Sequence, residues 1–252
     1  VGTTTITATA QDGSGVSASC IFTVNKHVED ISLSSSSVDI TMGNTFTLTA
    51  SVTPSDATNK KYSATSSNTA VATVSINGSS VIIRSVGLGS TTITVTTEDG
   101  EYTATCDVNV VLSKTPTNLA LVVKKSGVRY YVPTSIYGST NLTGYTKEGI
   151  AIVSGSSSFI LALNDASTSA LSFTEANALG TLPSSTQANA IVSYWSSINS
   201  ALTTFGGTSM GAKSYWTSTS GASRAAYYYS QGTVAQAVSA RNYYARKVIA
   251  TL

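Results

Sequence analysis

Polar and β-branched residues alternate in Gly2-Thr3-Thr4-Thr5-Ile6-Thr7 and again in Gly89-Ser90-Thr91-Thr92-Ile93-Thr94. A period of two predicts strands with one face turned to a core. Each run passes through an Asp-Gly pair, Asp12-Gly13 or Asp99-Gly100, into a second strand-like run at 20–24 or 106–110, the pattern of a β-hairpin. The two Asp-Gly pairs are spaced 87 residues apart, and a fixed spacing over several motifs predicts a repeated domain. The intact copy is expected over 26–112, with short alternating segments at 31–33, 38–40, 46–52, 70–74 and 81–83. Regularly spaced short strands separated by turn residues predict a β-sandwich. Residues 1–25 are too few for a sandwich and read as the last strands of a preceding copy, so an array of repeats is expected before Val1.

The intact copy strongly resembles the bacterial immunoglobulin-like group 2 domain. The resemblance is carried by Leu48-Thr49-Ala50-Ser51-Val52-Thr53-Pro54-Ser55-Asp56-Ala57-Thr58-Asn59-Lys60-Lys61, by Ser66-Ser67-Asn68-Thr69-Ala70-Val71-Ala72-Thr73-Val74 and by the closing hairpin. It implies a spacer that displays something else. Ala64 stands where the family usually has a core Trp, and Tyr62 is expected to compensate for the volume. Cys20 and Cys106 occupy matching places in successive copies. Such positions lie a domain length apart, beyond the roughly 7 Å Cα separation a disulfide tolerates, and two buried free thiols are expected.

A linker at 113–117 contains Thr115-Pro116-Thr117 and opens a region of different pattern, 118–252. Strands are expected at 119–124 and 128–132, and 149–153 with 159–163 reads as a buried hairpin. A short helix from Phe173 to Leu179 is stopped by Gly180. Ser184 and Gln187 then have capping-box spacing, and Ala188, Ile191, Val192, Trp195, Ile198 and Leu202 recur at helical intervals up to Gly206-Gly207. Trp195 therefore reads as core. Strands, helices and a terminal aromatic region describe an α+β domain.

The order of these elements resembles the C-type lectin-like fold in its bacterial and phage form. The motifs are Gly149-Ile150-Ala151-Ile152-Val153, Ala176 with Leu182-Pro183-Ser184, Ile198-Asn199, Gly206-Gly207, Tyr215-Trp216-Thr217-Ser218-Thr219, Ala226-Tyr227-Tyr228-Tyr229, Gly232-Thr233-Val234 and Tyr243-Tyr244-Ala245-Arg246-Lys247-Val248. The fold class expected for the whole chain is thus multidomain, an all-β immunoglobulin-like sandwich followed by an α+β C-type lectin-like domain. That fold is shared with formylglycine-generating enzymes and with the variable proteins of diversity-generating retroelements, so it specifies role less well than architecture. In the retroelement systems, adenine-directed mutagenesis turns Asn codons of the AAC type into Ser, Thr, Ala, Gly, Arg, Tyr or Asp. The resemblance implies a variable ligand-binding region at 215–246. Its candidate positions are Ser220, Ala222, Ser223, Arg224, Ala225, Tyr229, Ser230, Thr233, Ala235, Ala237, Ser239, Ala240, Arg241 and Asn242. Tyr215, Trp216, Tyr227, Tyr243 and Tyr244 form an aromatic framework.

Composition supports a binding face independently. Tyr provides rigid contact area while Ser, Gly and Asn adapt around it, the palette of antibody-like paratopes. Core packing of the paired tyrosines is the competing reading.

Charge is divided. Residues 1–115 carry five Lys or Arg against nine Asp or Glu, and 116–252 carry nine against three. Beyond Glu175 no acid follows, which leaves Lys213, Arg224, Arg241, Arg246 and Lys247 uncompensated in sequence, a surface suited to an anionic polymer. The basic residues form no helical stripe and no RNA-binding motif, so nucleic acid is not an expected partner.

Catalytic chemistry is poorly provided for. His27 is the single histidine, which removes a Ser-His-acid arrangement from the C-terminal domain and a multi-His metal site from the chain. Formylglycine-generating relatives depend on a cysteine pair in this domain, which lacks one. Glu148, Asp165 and Glu175 are its only acids and lie apart in sequence. The Glu-Pro-Asn, Gln-Pro-Asp and Trp-Asn-Asp motifs of calcium-dependent lectins are missing, and Leu163-Asn164-Asp165 reads as a turn.

The expectation is a non-enzymatic protein with no catalytic residues, cofactor or metal. It is extracellular, on a virion or bacterial cell surface, where it binds a cell-surface protein or glycan. No segment approaches the roughly 20 apolar residues of a membrane helix. A homo-oligomer is compatible with this reading. The alternative is a structural or assembly protein whose lectin-fold interface is fixed.

Overall fold

The computed structural model describes residues 1–155, 158–167, 169–170, 173–210, 214–218, 224–228, 233–237 and 245–252. The chain divides into two compact units, Val1–Val111 and Leu112–Leu252.

The first unit is entirely β. It runs β1 (Gly2–Thr9), β2 (Ser17–Val24), β3 (Asp30–Leu33), β4 (Ser37–Thr41), β5 (Thr45–Thr53), β6 (Tyr62–Ser66), β7 (Ala72–Asn77), β8 (Ser80–Ser85), β9 (Gly89–Thr97) and β10 (Thr103–Val111). One sheet has the order β4-β10-β9-β6 and the other β3-β5-β8-β7, while β1 and β2 pair with each other. The alternation seen in sequence becomes burial: Leu48, Val81 and Ile83 from one sheet and Ile93, Val95, Cys106, Val108 and Val110 from the other are buried. A fully buried Leu or Ile contributes about 1.5–3 kcal/mol, so this double layer dominates the unit's stability. Tyr62 is half-buried and its hydroxyl donates to the Gly78 carbonyl at 2.8 Å. It also lines an open groove of about 410 Å³ with Ala50, Val52, Lys60 and Gly78.

One expectation fails here. Cys106 is buried, but Cys20 is exposed. The alternation that hides Cys106 works only because a second sheet faces it, and no strand of the described chain faces β1–β2.

The leading segment of the sandwich is fastened by charge. Lys26 Nζ lies 2.7 Å from Asp56 Oδ1, and Asp99 holds both His27 Nδ1 at 2.9 Å and the Val28 N–H at 3.0 Å. The hydrogen bond to Asp99, then its charge, raises the His27 pKa above 6.5, and the bond from His27 lowers that of Asp99 below 3.8. A raised histidine pKa gives stability that is complete below about 6.5 and lost as pH rises through the folded value. A lowered aspartate pKa gives stability present above about 3.9 and lost as pH falls through the folded value. The pair is therefore strongest in mildly acidic solution. Because His27 is the only histidine, its imidazole C–H resonance is unique. An NMR titration should give a midpoint above 6.5, and Asp99→Asn should bring it back toward that value.

The second unit mixes sheet and helix. It contains β11 (Leu121–Lys125), β12 (Val128–Val132), α1 (Thr134–Tyr137), β13 (Thr146–Ile152), β14 (Phe159–Ala162), α2 (Phe173–Ala178), α3 (Ser185–Ser193), α4 (Trp195–Thr204), β15 (Ser214–Trp216), β16 (Arg224–Tyr228), β17 (Thr233–Ala237) and β18 (Val248–Thr251). A five-stranded antiparallel sheet has the order β12-β11-β13-β14-β18, and a separate three-stranded sheet has the order β15-β16-β17. The expected 149–153 and 159–163 hairpin is β13–β14, and Gly149 is required there because a Cβ would press on the Leu161 carbonyl. Ser184 caps α3 with both halves of a capping box formed with Gln187, a device worth about 1 kcal/mol. The single helix expected up to Gly206 is divided at Tyr194, where φ −107° and ψ 17° leave the helical range. The axis nevertheless continues, since the Tyr194 N–H reaches Ala190 O and the Ile198 N–H reaches Tyr194 O.

Candidate functional site

The structure brings together the two ends of the region that the sequence marks for binding. Tyr215 lies at the centre of β15 and is fully buried, with its ring centroid 6.4 Å from that of Trp195 on α4. Its hydroxyl donates to Asp165 Oδ2 at 3.2 Å. From the far end of the region, Arg246 reaches the same carboxylate, with Nε 2.9 Å and Nη2 2.8 Å from Asp165 Oδ1. Arg246 Nη2 also donates to Thr208 O at 2.6 Å and Nη1 to Leu163 O at 3.2 Å, and its guanidinium lies 6.0 Å from the centre of the Tyr215 ring. The Arg246 side chain is 0% exposed and that of Asp165 is 6% exposed. A pair removed from water to this degree is held by geometry and by satisfied hydrogen bonds, because its desolvation opposes its attraction.

A second closure lies beside the first. The α2–α3 connection accepts from both flanks, Pro183 O from the Ser218 N–H at 2.8 Å and Thr181 O from the Val248 N–H at 2.9 Å. The Ala166 N–H donates to Ala245 O at 2.8 Å. Gly207 makes the approach of the Thr208 loop possible, since a Cβ there would sit 2.5 Å from Leu163 O. Asn164 Oδ1 holds the Thr208 N–H at 3.0 Å, and Asn199 Oδ1 holds the Met210 N–H at 2.6 Å.

Between these closures runs the ribbon. Its register aligns Tyr215 with Tyr227 and Val234 in one row, and Trp216 with Ala226 and Ala235 in the next. Arg224 pairs with Ala237 and Tyr228 with Thr233. Of the candidate positions, Arg224, Ala225, Thr233, Ala235 and Ala237 thus lie on this ribbon. The ribbon has α3 packed against β16 and β17. Ser220, Ala222, Ser223, Tyr229, Ser230, Ser239, Ala240, Arg241 and Asn242, with Tyr243 and Tyr244, lie outside the described residues.

Two residues change their meaning. Arg246 is not an uncompensated surface cation but half of an internal ion pair, and Asp165 is its partner instead of only a turn residue. A basic residue in Ala245-Arg246-Lys247-Val248, next to a strand, was the available signal, yet its partner lies 81 positions away. Glu148 is likewise held, with Arg129 Nε 2.6 Å away and Lys124 Nζ at 3.7 Å. Among the described residues no group of three or more His, Cys, Asp or Glu is placed to hold a metal ion. No described helix is long and apolar enough to cross a membrane.

Comparison with known proteins finds the bacterial Ig-like domain (group 2) over residues 27–108. The chain is 36% identical over 108 residues to an Ig-like virion protein of Serratia phage KSP90, a match covering 42% of this chain and 41% of that protein. It is 30% identical over 173 residues to an uncharacterized protein of Clostridium acetobutylicum, covering 61% of this chain and 18% of the other. The chain thus spans well under half the length of these relatives. Domains 4 and 5 of the S-layer protein SbsC align at 28% identity with a TM-score of 0.30, over 38% of this chain and 59% of that one. A longer SbsC structure, domains 1–6, aligns at 20% identity with a TM-score of 0.33, over 63% of this chain and 28% of that one.

Proposed function

We propose that this chain is a displayed recognition protein, in which an Ig-like spacer carries a C-type lectin-like domain whose C-terminal ribbon and loops bind a protein or glycan on a cell surface. Its setting is a virion or a bacterial surface, in keeping with the group 2 Ig-like match and the similarity to an Ig-like virion protein. The observation that carries the binding reading is the convergence of Tyr215 and Arg246 on Asp165. A segment closed at its base by a buried clamp can change its intervening side chains without disturbing the fold below. Tolerance of this kind is what a retroelement-diversified surface needs, and the Ser, Ala, Thr, Tyr, Asn and Arg content at the candidate positions fits adenine-directed change. The reading assigns no catalytic step: Asp165 is engaged by Arg246, and Glu148 by Arg129.

Sequencing the 3′ end of the gene and its flanks across many isolates tests this. Diversification gives substitutions concentrated at the candidate codons, invariant Tyr215, Asp165 and Arg246, and a near-identical template repeat beside a reverse transcriptase. A uniform 3′ end points instead to a fixed interface.

A further inference from the structure

At one edge of the sandwich a tyrosine joins the two sheets. Tyr62 opens β6, the edge strand of its sheet, and its hydroxyl donates at 2.8 Å to the carbonyl of Gly78, in the turn between β7 and β8 of the other sheet. That bond pins a half-buried phenol ring. Two open grooves meet there. Ala50 and Val52 line one of about 410 Å³, Asn59 and Ile76 line the other of about 490 Å³, and Lys60, Tyr62 and Gly78 line both. A Cβ at Gly78 would meet nothing within 4 Å, so the space over the turn is open.

The charge around the ring is positive. Lys60 Nζ donates to Ser55 O at 2.9 Å, which takes one of the three donors of its ammonium, and Lys61 lines the second groove. The neighbouring carboxylates are engaged elsewhere: Asp56 by Lys26 at 2.7 Å, Glu98 by Asn59 at 3.4 Å and Asp99 by His27 at 2.9 Å. Residues 1–115 carry more acids than bases, so two lysines beside an aromatic ring are a local exception. We propose that this furrow on the Ig-like domain binds an acidic glycan, with a sugar ring on Tyr62 and its carboxylate or sulfate at Lys60 and Lys61. The weakly positive C–H face of a pyranose suits the negative face of an aromatic ring, and an ammonium donates strong hydrogen bonds to an anionic oxygen. The volumes are those of small-ligand sites. An acidic peptide is the weaker fit, because open grooves walled by Ala50, Val52 and Ile76 give no deep slot for the large side chains that anchor peptides. The site belongs to the spacer and does not depend on the C-terminal ribbon.

Titration calorimetry of the 252-residue chain with hexagalacturonate, a heparin hexasaccharide, neutral maltohexaose and hexaglutamate tests the proposal. At least one of the two acidic oligosaccharides should bind with a Kd of about 1 mM or tighter, and maltohexaose and hexaglutamate at least about 10-fold more weakly. Tyr62→Leu, which keeps apolar bulk but removes the ring, and Lys60→Gln with Lys61→Gln, which removes the charge, should each weaken that binding by about 10-fold or more. Protection of buried Cys106 from thiol reagents verifies that each variant retains the sandwich. Binding of neither acidic oligosaccharide overturns the proposal. So does binding that both variants leave unchanged, which would place the ligand elsewhere on the chain. Hexaglutamate bound as tightly as the sugars would make the furrow a site for acidic peptides, and equal binding of maltohexaose would remove the role of the lysines.

Discussion

Replacing Arg246 with Met lowers the unfolding free energy of the second unit by about 3–5 kcal/mol, the usual cost of deleting one partner of a buried ion pair. The magnitude follows from what is left behind. Asp165 is almost wholly buried, and without the guanidinium its charge faces a low-dielectric interior with the Tyr215 hydroxyl still donating to it. The Thr208 carbonyl loses its Arg246 donor as well, and the Leu163 carbonyl is left with the Thr208 N–H. Asp165→Leu combined with Arg246→Met should recover a large part of the loss, because removing both charges leaves no uncompensated ion. The measurement is convenient: both tryptophans, Trp195 and Trp216, lie in the second unit, so tryptophan fluorescence in urea follows that unit alone. A single and a double variant with equal losses would mean that shape, not charge, maintains the clamp.

The clamp also shows where reading the chain residue by residue reaches its limit. Features set by local geometry were legible. The Ser184 and Gln187 capping box needs only a spacing of three, and the Leu48, Ile83 and Ile93 core needs only a period of two. The group 2 Ig-like domain at 27–108 was legible because its motifs at 48–61 and 66–74 are local. The Asp165 and Arg246 pair was not, since nothing near either residue specifies a partner 81 positions distant. Cys20 illustrates the converse. Its own strand alternates as that of Cys106 does, but burial depends on the facing layer, which its own strand does not encode. At Tyr194 the helical period continues through the break because the backbone departs by one residue and then resumes. Trp195 is buried as its helical spacing implies, yet its contact with Tyr215 joins α4 to β15, a tertiary event that no local pattern specifies.

The second large effect concerns binding. Exchanging the residues at 220–224 and 235–242 for other members of the Ser, Thr, Ala, Gly, Asn and Arg set should reduce attachment to the recognised cell by at least about 100-fold, the loss expected when about 3 kcal/mol of contact energy in a few central side chains is removed. The binding reading predicts that stability changes by no more than about 0.5 kcal/mol, the range of substitutions that touch no cap, core or ion pair. The two observables separate because the load-carrying contacts, Tyr215 and Arg246 on Asp165 and the Pro183 and Thr181 carbonyls on the flanks, all lie outside the exchanged residues. An Arg246→Met variant should show the reverse order, losing stability first and binding only as the ribbon loosens.

The most direct measurement is therefore this paired one: cell attachment and urea unfolding, recorded on the parent chain and on a panel with 220–224 and 235–242 exchanged. Attachment that collapses across the panel while the tryptophan unfolding midpoint stays in place is the predicted result. Unchanged attachment, or attachment and unfolding midpoint falling together, would contradict an exchangeable binding segment on a fixed base.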